Sequence, residues 1–387
     1  MNEIYLDNSA TTKMSERARQ KMLSLIDKDY GNPSSLHKMG AEAERLIDTA
    51  RNIILSSLGI LRGTKQELVF TSGGTEANNL AILGTVFAKK RQGNEKILTT
   101  MGEHASVAEP LRFLEGLGYN VIYVPTKNGE LDLDFIKRNA QGAILATFMH
   151  VNNETGALYN LKDAFSLVRE LSPNAVLHAD CVQSYLKVRV TKKSLGADLI
   201  TVSAHKVNGP KGVGALYVAP EITKAKRLVP VLLGGGQELG VRSGTENTYG
   251  IVAFGEAVVE KHSSLGEITS YLTSLRDKLT CELSKIDGLR VNLPSERAPH
   301  IVSVTVLGIK SETVLHFLSS KGIYVSSGSA CSSNGAKRVS PALLGFGLAV
   351  DEIDSTIRIS FSCENTESDI FALRDALCEA VSRLARK

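Results

Sequence analysis

The chain is expected to be an α/β protein, with a mostly parallel seven-stranded sheet in a large domain and a smaller α+β unit after it. Three observations predict this. Between residues 68 and 218, seven short apolar runs alternate with stretches of helical spacing. Several of these runs are rich in Val, Ile and Leu with no polar alternation, as strands covered on both faces should be. Beyond residue 255 the rhythm changes to a mixture of strands and helices.

The predicted strands of the large unit are 68–70, 96–99, 121–124, 143–149, 176–179, 199–202 and 214–218. After the first of them Ala77, Leu80, Ala81, Gly84 and Ala88 fall on one helical face. Gly234-Gly235-Gly236-Gln237 reads as a loop, and a long helix is expected over 248–261. The smaller unit follows as strand 300–306, helix 311–320, strand 323–326, strand 356–361 and a helix from Glu367. The domains are therefore placed at 15–255 and at 256–387, with residues 1–14 folding back onto the second. No internal repeat or low-complexity segment is evident.

Bulk properties exclude several classes. In 387 residues, 45 basic and 41 acidic side chains leave a net charge of only +4 and no long basic run, so nucleic acid is not an expected partner. Cysteines stand singly at 181, 281, 331, 363 and 378, with no zinc-ligand spacing, so no metal is expected. Cys181, Cys281 and Cys378 are read as inert structural thiols. The opening residues lack an apolar signal core, and no stretch reaches the ~18 apolar residues of a span. A soluble, cytoplasmic protein is the expectation.

Lys206 carries the sharpest chemistry. It follows the 199–202 strand in Ser203-Ala204-His205-Lys206, just before a Gly/Pro turn. A lysine at a strand's carboxyl end, beside hydroxyl and imidazole donors, suits condensation with a carbonyl cofactor. Asp180 ends the neighbouring 176–179 run and emerges at the same sheet edge, where parallel sheets bind ligands. A carboxylate there would keep the ring nitrogen of pyridoxal phosphate protonated, the state in which that cofactor draws electrons. A lone surface lysine is the commoner reading of one lysine. The strand, the donors and the aspartate together set it aside.

Other segments are more open. Thr71-Ser72-Gly73-Gly74-Thr75-Glu76-Ala77-Asn78 links a strand to a helix, and it reads either as a phosphate cup or as an ordinary capped turn. His104 follows the 96–99 strand and would either stack on a ring and shuttle protons or simply cap a helix. Cys331 stands in Ser326-Ser327-Gly328-Ser329-Ala330-Cys331-Ser332-Ser333, a run of small residues suited to an exposed loop, with Lys337 and Arg338 nearby.

Taken together, these segments resemble the NifS/IscS-type cysteine desulfurases, in the class-V branch of fold-type-I pyridoxal-phosphate enzymes. The likeness runs nearly end to end. It also takes in Tyr5-Leu6-Asp7-Asn8-Ser9-Ala10-Thr11-Thr12, Asn32-Pro33, Asn152-Asn153-Glu154, Arg242-Ser243-Gly244-Thr245 and Thr356-Ile357-Arg358. The resemblance implies Lys206 as the Schiff-base lysine, Asp180 as the ring-nitrogen partner and His104 as the stacking histidine. Gln183, with Asn153 nearby, would meet the phenolic oxygen. Gly74, Thr75, Ser203 and His205 would hold the phosphate. Thr245 would reach the phosphate of a second subunit, which implies a homodimer. Arg358 would grip the carboxylate of L-cysteine. Cys331 would take the sulfur as a persulfide and pass it to an acceptor protein, in iron–sulfur cluster assembly or tRNA thiolation. Two segments depart from the family pattern. One is Ala336–Pro341 after Cys331; the other is Phe361-Ser362-Cys363-Glu364-Asn365 after Arg358. An aminotransferase, a selenocysteine lyase and a non-catalytic scaffold are the alternatives. A role for Cys331 would separate the first from the desulfurase.

Overall fold

In the computed structural model, residues 3–61, 63–327 and 339–384 are described. Its centre is a seven-stranded sheet in the order Leu68–Thr71, Gly214–Val218, Leu199–Ser203, Val176–Asp180, Ala143–Met149, Lys96–Thr100, Asn120–Val124. Gly214–Val218 runs antiparallel to both neighbours, and the remaining pairs are parallel. The apolar runs therefore became strands where expected, each correct to within a residue. Every residue of Ala143–Met149, Val176–Asp180 and Leu199–Ser203 is buried, which is why these runs carry no alternation.

The helix Gly74–Phe87 crosses this sheet. Helices Glu16–Ile26 and Lys38–Ser57, not anticipated from the sequence, pack on Thr248–Ser263. One apolar core gathers residues between Ile47 and Val258. A second gathers Leu6 with residues between Leu272 and Leu377, around a four-stranded sheet ordered Leu289–Asn292, Ile301–Val306, Thr356–Ser360, Ser326–Ser327. The run expected as a single strand over 323–326 is divided instead. Ile323–Tyr324 pairs parallel with Ile4–Tyr5, whereas Ser326–Ser327 pairs with Arg358 and Ile357. Two partners on different sheets cannot be served by one straight strand.

The segment after Tyr5 ties the cores together. Ser9 N–H donates to Ser360 Oγ at 2.8 Å, and Asn8 Nδ2 donates to the Ser360 carbonyl at 3.1 Å. Three residues on, Thr12 Oγ1 donates to the His205 carbonyl at 2.9 Å, beside Lys206.

The interior also holds neutral histidines. His178 lies within the sheet between Thr147 Oγ1 at 2.8 Å and Thr201 Oγ1 at 3.0 Å, and burial pushes its pKa down to about 3. Burial likewise pushes His150 down to about 4. Native pKa values below the unfolded one give stability that is present above about pH 6.5 and lost as pH falls toward these values. Between pH 6.5 and 5 each should cost roughly 2 kcal/mol. Urea melts at the two pH values check this; equal midpoints would exclude it.

Candidate active site

The carboxyl edge of the sheet opens on a cavity of about 210 Å³, lined among others by Thr75, His104, Asp180, Gln183, Ser203 and Lys206. Gly74, Asn153 and His205 also line it, so the cavity brings together nine of the residues expected at a site. Five parallel strands or the turns after them supply these groups, which is why residues far apart in sequence meet here.

Asp180 ends its strand and is fixed from two sides. Asn78 Nδ2 donates to Oδ2 at 2.7 Å, and Val182 N–H donates to Oδ1 at 2.9 Å. The other Asn78 hydrogen reaches Ser106 Oγ at 2.8 Å, which in turn lies 2.8 Å from His104 Nδ1. Asn78 thus links the carboxylate to the imidazole, a role the sequence reading missed. The available signal was its spacing: Asn78 lies four residues after Gly74, on the same helical face.

His104 caps a helix, one of the two readings weighed for it, and it also reaches the cavity. It is the N-cap of Ala105–Gly116, with Nδ1 accepting from Ser106 N–H at 3.1 Å, and its ring lines the cavity. Accepting at Nδ1 places the proton of the neutral ring on Nε2. Burial lowers its proton affinity and Lys206 adds to this, against the opposing pull of Asp180.

At the other end, Gly73 caps the helix Gly74–Phe87 with no side-chain hydrogen bond, so the ordinary Ser/Thr cap is ruled out. The helix's first N–H groups are therefore available to an anion. Gly74 is needed for close approach, since a Cβ there would lie 2.8 Å from Val182 Cγ2. Ser203 Oγ is buried with no partner among the described residues, as is Gln183 Oε1, while Gln183 Nε2 donates to the Ser9 carbonyl at 2.8 Å. His205 Nδ1 lies 3.2 Å from Thr11 Oγ1, and burial pushes the ring down to about 4. A helix N-terminus, an orphan hydroxyl, a clamped carboxylate and an amine fit a phosphorylated pyridine aldehyde.

Lys206 sits on the turn Ala204–Lys206, and its Nζ donates to the Ser9 carbonyl at 2.5 Å and to the Ala10 carbonyl at 2.8 Å. Arg358 is buried just outside the cavity lining. Its Nη2 donates to Asp7 Oδ1 at 2.7 Å and Nη1 to the Asn153 carbonyl at 3.0 Å, while Nε has no hydrogen-bond partner among the described residues. Thr245 is exposed and does not line the cavity. Cys331 lies outside the described residues. Cys181 is buried, and burial pushes its thiol up; Cys281 and Cys378 are exposed on their helices, which corrects their reading as buried structural thiols. Among the described residues no group of three potential metal ligands occurs, and no helix is long and apolar enough to cross a membrane.

A fold and cavity of this kind define a pyridoxal-phosphate enzyme built at a sheet edge. Comparison narrows the class. The Aminotransferase class-V family matches residues 4–373, and the chain belongs to that family. A relative from Archaeoglobus fulgidus, "Cysteine desulfurase IscS 1", is 36% identical, covering 98% of this chain and 97% of its own. "Cysteine desulfurase IscS" from Buchnera aphidicola is 38% identical, covering 99% and 94%. Among solved structures, a "NIFS-LIKE PROTEIN" superposes with a TM-score of 0.91 at 31% identity, covering 99% of this chain and all of that one. "SspA in complex with cysteine" gives a TM-score of 0.77 at 30% identity, covering 93% and 99%.

Proposed function

We propose that this protein is a cysteine desulfurase: it takes sulfur from L-cysteine, releases L-alanine and holds the sulfur as a persulfide on Cys331. The observation that carries this reading is the single cavity in which Lys206, Asp180 and His104 meet below a helix N-terminus, in a chain whose full-length relatives bear that name. Asp180 would hold the ring nitrogen, the first turn at Gly74 and Thr75 with Ser203 and His205 the phosphate, and Gln183 with Asn153 the phenolic oxygen. Bound there, pyridoxal phosphate supplies a carbonyl for an amine and a protonated ring that withdraws electrons. Lys206 Nζ and the His104 ring move protons beside it.

Arg358 would bind the substrate carboxylate through its unpartnered Nε edge, while Asp7 and the Asn153 carbonyl fix the guanidinium plane. Arg358→Ala should raise KM for L-cysteine roughly 10- to 100-fold, the value of one hydrogen bond to a charged group. Steady-state kinetics decide; an unchanged KM would remove Arg358 from the substrate site.

The sulfur step balances. The Cys331 thiolate forms an S–S bond to the substrate sulfur, the C–S bond breaks, and the carbon fragment takes a proton to become alanine. The reading further comprises a homodimer, in which Thr245 completes the partner's phosphate site, and a cytoplasmic location. It also includes an acceptor protein for the sulfur and a division into residues 15–255 and 256–387 with 1–14. The two separate apolar cores support that division, and the exposure of Thr245 is compatible with an intersubunit role. The test is alanine release from L-cysteine by the cofactor-loaded protein with a thiol reductant. Alanine together with a 32-Da gain on Cys331 before reduction is the expected result; transamination without alanine would replace the reading by the aminotransferase alternative.

A further inference from the structure

Lys206 is also in the wall of a second and much smaller cavity, of about 20 Å³, which Asp180 does not line. The small cavity is also lined by Lys187, Lys261, Cys363, Leu272 and Phe361, and among the described residues no carboxylate lines it. Lys187 is 6% exposed, and its Nζ is buried with no hydrogen-bond partner among the described residues.

The backbone holds this lysine in place. Leu186 adopts φ 55°, turning the chain immediately before it, and Thr269 Oγ1 donates to the Lys187 carbonyl at 2.9 Å. The charged and titratable groups around Lys187 are Lys206, Lys261, His205, His300 and the Cys363 thiol. Burial, then Lys206 and Lys261, bring the Lys187 ammonium down to about 7, with Cys363 opposing. An ammonium with three donors, cationic neighbours and an adjoining void lacks a counter-charge. Size decides what can supply it. About 20 Å³ seats one particle of roughly water size and leaves no room to enclose a carboxylic acid or a phosphate ester.

We propose that this cavity binds one compact monovalent anion, held by the Lys187 ammonium with Lys261 alongside. Chloride and hydrosulfide share that charge and size. The hydrosulfide source rests on the desulfurase reading: a thiol reductant that returns a persulfide to the thiol releases hydrosulfide and is itself oxidised to its disulfide. Because Lys206 lines both cavities, the bound anion would place a negative charge beside the residue that faces the larger one.

The test uses cofactor-loaded wild type and Lys187→Met. Chloride binding is followed by excess ³⁵Cl line width from pH 6 to 9, and the site is located by bromide anomalous scattering in crystals. Since Lys187 is protonated below about pH 7 and neutral above it, binding should be full at pH 6 and weaken about tenfold per pH unit beyond 7. Lys187→Met should lose it at every pH and melt no lower than wild type, because Met fills similar space without burying an amine. Displacement of chloride by sulfide would identify hydrosulfide as a second occupant; its absence would leave chloride alone. Wild-type line width equal to that of Lys187→Met at pH 6, or bromide bound elsewhere, overturns the proposal. Should Lys187→Met not fold, the wild-type pH series and the bromide position decide alone. None of these readouts needs alanine production, so failure of the desulfurase reading would be seen separately.

Discussion

Lys206→Ala should leave a folded protein that retains no cofactor absorbance after gel filtration and makes alanine at least roughly 10³-fold more slowly. The fold should survive because the hydrogen bonds that Lys206 gives to the Ser9 and Ala10 carbonyls are worth about 1.5–3 kcal/mol each, less than the roughly 5–15 kcal/mol that holds a folded protein together. The chemistry should not survive. Lys206 is the cavity lysine in reach of a carbonyl group, and the other proton-moving group there is His104, whose Nδ1 is already engaged by Ser106. Retention of more than about one per cent of the activity would assign the amine's work elsewhere.

Cys331→Ala should fail in a different way. Alanine release with reductant should again fall by roughly 10³-fold or more, yet the visible cofactor band should match wild type, since Lys206, Asp180 and His104 in the 210 Å³ cavity are unchanged. Comparing the two variants separates holding the cofactor from accepting the sulfur. Full alanine production by Cys331→Ala would hand the acceptor role to another thiol. The alternatives on this fold predict that result, because transamination requires no cysteine.

What could be read in the sequence was whatever sits next to a strand. Lys206, Asp180 and His104 each follow an apolar run by a few positions, so a parallel sheet delivered them to one edge once its strands were recognised. Asn78 was missed because its partners are 28 and 102 positions away. The carbonyls that receive Lys206 lie 196 and 197 positions distant, and backbone acceptors have no sequence signature. Helices Glu16–Ile26 and Lys38–Ser57 were passed over since no chemistry drew attention to them. Cys281 and Cys378 were misjudged because thiol burial depends on which helical face meets the core, and for both it is the other face.

The strap from Tyr5 to Thr12 has a consequence for biosynthesis. Asn8 hydrogen-bonds to Ser360, 352 positions later, so this end of the strap meets its partner only once nearly the whole chain has been made. At about 5–20 residues per second, that interval lasts roughly 20–70 s on the ribosome. During it the large sheet can be complete while Asn8 still lacks its Ser360 partner. In that interval the strap is held at the large sheet alone, through Thr12 and the Ser9 carbonyl, and its junction with the smaller sheet is the last part of it to form.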